Sequence, residues 1–142
     1  MFRTEILRLV IGSLLITGCN TKKKIKPLTA NFELGKIKII DKRREISEGQ
    51  ELTLMVRFEI ERKKQQLNTS EYFQYQLGKK IKVVIGKDTL QPLIFYCLPL
   101  INDLEKEIDV KFLIPQSNID KLKQIIIEDS VFNFNKVNIS FK

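Results

Sequence analysis

The sequence predicts an all-β protein, a two-sheet antiparallel sandwich of about seven or eight strands. Three observations lead there. Apolar residues beyond Asn31 recur with period two in one run after another. Turn-forming residues punctuate those runs. After the N-terminal segment, one short stretch alone carries helical spacing. The chain has 142 residues, 43% hydrophobic and 30% charged, which is one domain with a core to bury and not the composition of a disordered chain.

The elements follow in order. Ile37/Ile39 is a short alternation. Ser47-Glu48-Gly49-Gln50 is a turn ahead of the longest run, where Leu52, Leu54, Val56, Phe58 and Ile60 alternate with Thr53, Met55, Arg57, Glu59 and Glu61. Such alternation places one face of a strand on a core and the other in water. After the polar loop Gln65–Ser70, alternations at Phe73/Tyr75/Leu77 and Ile81/Val83/Ile85 predict two short strands. Gly86-Lys87-Asp88-Thr89 reads as a hairpin loop. Leu93–Leu98 and Ile125–Ile127 are apolar on both faces, as in central or doubly covered strands. Pro92 and Pro99 around the first of these point to an edge or a crossing between sheets. Ile108, Val110, Phe112 and Ile114 form another alternating strand, and Val137, Ile139 and Phe141 the last. Asn102-Asp103 and Asn133–Lys136 close two connections. Ser117 to Leu122 is the helical turn, with Ser117 as cap and Ile119 and Leu122 on one side. A small barrel is the alternative architecture that strand count leaves open.

The N-terminus has different physics. Arg3 and Arg8 precede and flank the apolar run Leu9–Ile16, and Thr17-Gly18 lead into Cys19. A basic start, a short apolar stretch and small residues are the parts of an export signal, and the run is too short for a spanning helix of roughly 20 residues. Ile16-Thr17-Gly18-Cys19 resembles the lipobox of bacterial lipoproteins. That resemblance implies cleavage between Gly18 and Cys19, a thioether-linked diacylglycerol and an acylated amine on Cys19, and stable membrane anchoring, since two or more acyl chains hold where one does not. It divides the chain into a helical signal peptide at 1–18, a lipidated cysteine and basic tether at 19–31, and the sandwich at 32–142. Asn20, where Asp would retain a lipoprotein on the inner membrane, favours the outer membrane. A plain secretory leader that happens to hold a cysteine is the alternative.

From Gly49 to the C-terminus the order of features is similar to the telokin-like, immunoglobulin-type domains of many bacterial lipoproteins. The strand Leu52–Ile60, the strand end Phe112-Leu113-Ile114-Pro115 and the closing Val137-Asn138-Ile139-Ser140-Phe141 carry the likeness. The tryptophan that such sandwiches often bury is missing. The resemblance implies an immunoglobulin-like architecture and no particular activity.

Charge and cysteine usage refine the class. The 25 basic and 17 acidic residues give +8. Residues 1–18 hold Arg3, Arg8 and Glu5, so the remainder carries 23 against 16, or +7. Lys22-Lys23-Lys24 and Lys26 lie in the tether, as a solvated spacer or as a basic segment against anionic headgroups. No helix carries a basic stripe, so nucleic acid is not expected as a partner. With Cys19 lipidated, Cys97 is unpaired, and its apolar neighbours predict a buried, inert thiol.

Enzyme chemistry finds little to work with. The chain has no His, which removes imidazole bases, triads and metal ligands. Glu105, Glu107 and Asp109 share a strand face, but without further oxygens or a tight glycine loop they read as a solvated face, and Glu128-Asp129 reads as turn chemistry. No glycine-rich phosphate loop is present, and no cofactor is expected. Tyr72 is the one side chain the pattern turns outward as a contact, beside Gln74 and Gln76, for a sugar or a partner surface. The expected role is a non-catalytic interaction module that docks another envelope protein. The alternatives are a binder of an acidic glycan or other envelope ligand, and an inhibitor or immunity protein against a secreted enzyme.

Overall fold

A computed structural model describes residues 26–32, 35–61, 70–98, 105–129 and 135–141. The leader, Gly18 and Cys19 lie outside them. Among the described residues nine strands form: β1 (Leu28–Phe32), β2 (Gly35–Ile46), β3 (Gly49–Ile60), β4 (Ile81–Ile85), β5 (Asp88–Leu90), β6 (Ile94–Leu98), β7 (Glu105–Pro115), β8 (Leu122–Asp129) and β9 (Asn135–Ser140). One helix, α1 (Ser70–Tyr75), and two 3-10 turns, Leu77–Lys80 and Gln116–Lys121, connect them. The strands make two antiparallel sheets, ordered β1-β2-β3-β7-β6 and β5-β4-β8-β9. Two separate sheets decide for a sandwich over a barrel.

The order is that of an immunoglobulin sandwich. β2, β3, β7 and β6 stand where strands A, B, E and D stand, and β5, β4, β8 and β9 where C′, C, F and G stand. β1 adds one strand outside A. The disulfide and tryptophan that pin antibody domains are replaced by aliphatic packing, with Val56 on β3, Val83 on β4 and Ile125 on β8 all fully buried.

Period two explains the core. Leu52, Leu54, Val56 and Phe58 of β3 and Ile108, Val110, Phe112 and Ile114 of β7 face sheet two, meeting Ile81, Val83, Ile125 and Ile127. β3 pairs β2 and β7 along its whole length, as Leu54↔Asp41 and Leu54↔Val110 show, so it is the central strand. Past Ile39 the inward positions of β2 change to Asp41, Arg43 and Glu45. They are satisfied locally: Arg43 pairs with Asp41 at 3.2 Å and sits 5.6 Å over the Phe141 ring, and Gln50 donates to Glu45 at 2.6 Å.

Several expectations change. β2 is as long as β3, although its sequence shows only Ile37 and Ile39 as alternation, because its second half leaves the core and carries charge on both faces. Ser47-Glu48 is accordingly the tip of the β2–β3 hairpin, where Gly49 (φ 150°) places its Cα so near β7 that a Cβ would fall 2.1 Å from the Ile114 carbonyl oxygen. The sheet takes up the chain at Leu28, four residues before the sandwich start expected at 32. Leu93–Leu98 contributes β6, an edge strand as its prolines suggest and not a doubly covered one. The alternation Phe73/Tyr75/Leu77 is helix α1 and the turn after it, closed by the Gln76 N–H donating to the Tyr72 carbonyl at 2.9 Å. Six residues are too few for periodicity to separate the two periods. The expected helical turn at Ser117–Leu122 is the 3-10 turn Gln116–Lys121.

Candidate functional site

The connection from β3 to β4 carries α1 and the turn Leu77–Lys80 across to sheet two, and α1 packs against β6 and β7. Leu77 is fully buried. Gly78 lies flat on the Phe95 ring, where a Cβ would fall 2.1 Å from a ring carbon. The inner face of β6, Phe95 and Cys97, is thereby half-covered.

Tyr72 is the residue the sequence pattern misplaces. It faces inward, half-buried, and its hydroxyl donates to the carboxylate of Asp129, 5% exposed at the end of β8. Burial first, then the Asp129 carboxylate, holds the Tyr72 phenol far above its ordinary value. The pair fastens the helical connection to sheet two, and Tyr72 is not an outward contact. Glu128 next to it bonds outward, to Lys82 at 3.2 Å and Lys136 at 3.8 Å, so this acidic pair is inter-element pairing and not turn chemistry. No signal in the sequence joins Tyr72 to Asp129, which are brought together only by the packing of the connection on the sheet.

The acidic row on β7 divides by partner. Glu107, 6% exposed, accepts from Arg57 Nη2 at 2.7 Å and Nε at 2.9 Å. This pairing raises the Arg57 guanidinium above its ordinary value. Asp109 faces Tyr96 of β6. Desolvation pushes its carboxyl up, the Tyr96 hydroxyl opposes that, and its Oδ1 has no hydrogen-bond partner among the described residues. Among those residues no three of His, Cys, Asp and Glu are grouped to hold a metal ion. A cleft of about 120 Å³ on this face, lined by Pro27, Lys38, Ile40, Met55, Arg57 and Glu107, is below the roughly 300–1,000 Å³ of small-molecule sites.

What the fold does assemble is an apolar edge. Of the five exposed large apolar side chains among the described residues, Leu93 (64%), Ile94 (54%), Tyr96 (42%) and Leu113 (45%) lie on or beside β6; Tyr75, on α1, is the fifth. Ile94 pairs with Lys111 and so sits diagonal to Leu113, within reach across the ladder. β6 ends its sheet, and its outer side pairs with no strand among the described residues. Cys97 on this edge is free and half-buried, less enclosed than its apolar neighbours predict, with burial pushing its thiol up against the opposing pull of Lys106. Among the described residues no helix is long and apolar enough to cross a membrane. No protein-family model, curated protein or solved structure matches the chain.

Proposed function

We propose that this chain is an exported, lipid-anchored envelope protein whose sandwich is a non-catalytic interaction module, docking through the β6 edge. The carrying observation is the concentration of exposed apolar side chains on and beside one edge strand, whose outer side pairs with no strand among the described residues. Edge strands in soluble proteins are ordinarily blunted by charge, bulges or cover, and an apolar exposed edge is a template for an added strand. The anchor rests on Ile16-Thr17-Gly18-Cys19, and Asn20 favours the outer membrane. A short tether of lysines then holds the edge near the membrane, within reach of other envelope proteins.

Two measurements test the two halves of this reading. Cys19→Ala is expected to move the protein out of the membrane fraction and to remove acyl label; a variant that stays with membranes, beside a parent with no acyl mass, refutes the anchor. A photo-crosslinking residue at position 94 is expected to give protein adducts in producing cells, and one at position 29, on the opposite edge, to give none. Equal adducts from both, or none from 94, refute the docking edge.

A further inference from the structure

Resting on the reading of β6 as a docking edge, we infer that its occupant is a second copy of this chain, the two β6 strands paired antiparallel about a two-fold axis at Tyr96. A two-fold interface uses the same patch twice, so the strand must be complementary to itself. β6 is. Pairing about Tyr96 sets Ile94 opposite Leu98, Phe95 opposite Cys97 and Tyr96 opposite its own copy. Ile94, Tyr96 and Leu98 share the outer face and Phe95 and Cys97 the inner one, so every opposed pair on either face is apolar or aromatic.

Charge selects the same strand. In a chain with 25 basic and 17 acidic residues, copies repel where they meet through surface of net positive charge. Thr89 to Asn102 is the longest stretch without a charged residue, and β6 lies wholly inside it. The other edges do not meet both conditions. β5 carries Asp88 and β9 carries Lys136. β1 is uncharged, but its outward residues, Thr29 and Asn31, are polar. An acidic foreign strand would find no basic group on β6 to read, whereas a second β6 finds a match at each position. Five paired residues a side fall short of the about 800 Å² per partner of a standard interface. Association is therefore weak in dilute solution and rises with local concentration, as when both copies are held on one surface.

The register makes a sharp prediction about thiols. Two Cys97 residues are offset by two positions along each strand, which puts their Cα atoms roughly 8 Å apart, beyond disulfide reach. Two residues at position 96 face each other directly. The test uses the full chain with Cys97→Ser as parent, which registers any crosslink through Cys19, and adds Tyr96→Cys or, on the opposite edge, Thr29→Cys. After mild copper oxidation, Tyr96→Cys is expected to give a species of twice the chain mass at about ten times the yield of the parent and of Thr29→Cys. Adding Ile94→Lys, which sets a charge opposite Leu98, is expected to cut that yield about tenfold. A Tyr96→Cys dimer no more abundant than the Thr29→Cys dimer, or one indifferent to Ile94→Lys, overturns the inference. A crosslink from position 96 to a species of another mass overturns the second copy and leaves the docking edge standing. No crosslink specific to position 96 overturns the second copy, and it removes the docking edge as well only if the photo-crosslinker at position 94 also gives no adduct.

Discussion

The five-stranded sheet ends in two edges built on opposite plans. At β1 the inward residues Leu28, Ala30 and Phe32 pack on the core, with the Phe32 ring edge-on to Phe58 at 6.4 Å, while Thr29 and Asn31 face water. At β6 the inward residues Phe95 and Cys97 are likewise half-covered, but the outward ones are Ile94 and Tyr96. Each edge keeps its inner face on the core, so folding asks the same of both. They differ on the outer face, where folding asks for nothing apolar. An apolar residue there costs solubility without adding to the core, so its presence on one edge and absence from the other points to association and not to stability.

The sharpest way to break this comparison is to remove the framework both edges share. Phe58→Ala empties a fully buried site on the central strand and takes away the ring that Phe32 packs against. A loss of about 3–5 kcal/mol is expected in denaturant melts, out of the about 5–15 kcal/mol that a domain holds. A loss under about 1 kcal/mol would mean β3 is not central and the two edges do not belong to one sheet.

Tyr72→Phe acts near the β6 side alone. It takes a hydroxyl from the buried Asp129 carboxylate and loosens the connection that packs on β6, for about 1–3 kcal/mol. The pH dependence follows in sign. Because the folded state holds the Tyr72 proton more tightly than the unfolded chain does, the contribution is complete below about pH 10 and is lost as pH rises above it. The parent should therefore lose stability more steeply than Tyr72→Phe in alkaline melts. Parallel curves would show that the phenol is in contact with solvent.

Asp109→Asn, beneath Tyr96, should be a smaller change with the opposite sign. Burial raises the Asp109 carboxyl, so its stabilising form is the protonated one, present below about pH 4 and lost as pH rises through the raised folded value. The amide is expected to melt higher than the parent at pH 7, with the gap closing near pH 3; a variant that melts lower at pH 7 would mean that the Tyr96 hydroxyl and the nearby lysines outweigh the desolvation of the charge.

The smallest expected effect is on stability at the edges themselves. Ile94→Thr and Thr29→Ile exchange the outer-face chemistry of β6 and β1, and each should shift stability by less than about 0.5 kcal/mol. Binding of a hydrophobic dye should fall for the first and rise for the second. Unchanged dye binding by Ile94→Thr would show that the β6 patch is already covered.

The sequence by itself determined the all-β class and the buried face of its longest alternating strand, because strict alternation over Leu52–Ile60 admits only one register with a buried face. It determined the uncharged character of Leu93–Leu98, whose prolines left an edge or a crossing between sheets open until the strand order decided for the edge. Tertiary structure decided the rest. Whether an apolar residue is core or surface depends on what the other sheet covers, which is why Ile94 and Tyr96 are exposed while Ile126, in an equally apolar run, is 7% exposed. The charged half of β2 is a strand because β3 runs beside it and supplies the hydrogen bonds, a fact of pairing that leaves no period in its own residues. Tyr72 turns inward because a short helix is held by what it packs on, and its partner Asp129 is distant along the chain and adjacent only once the two sheets have closed.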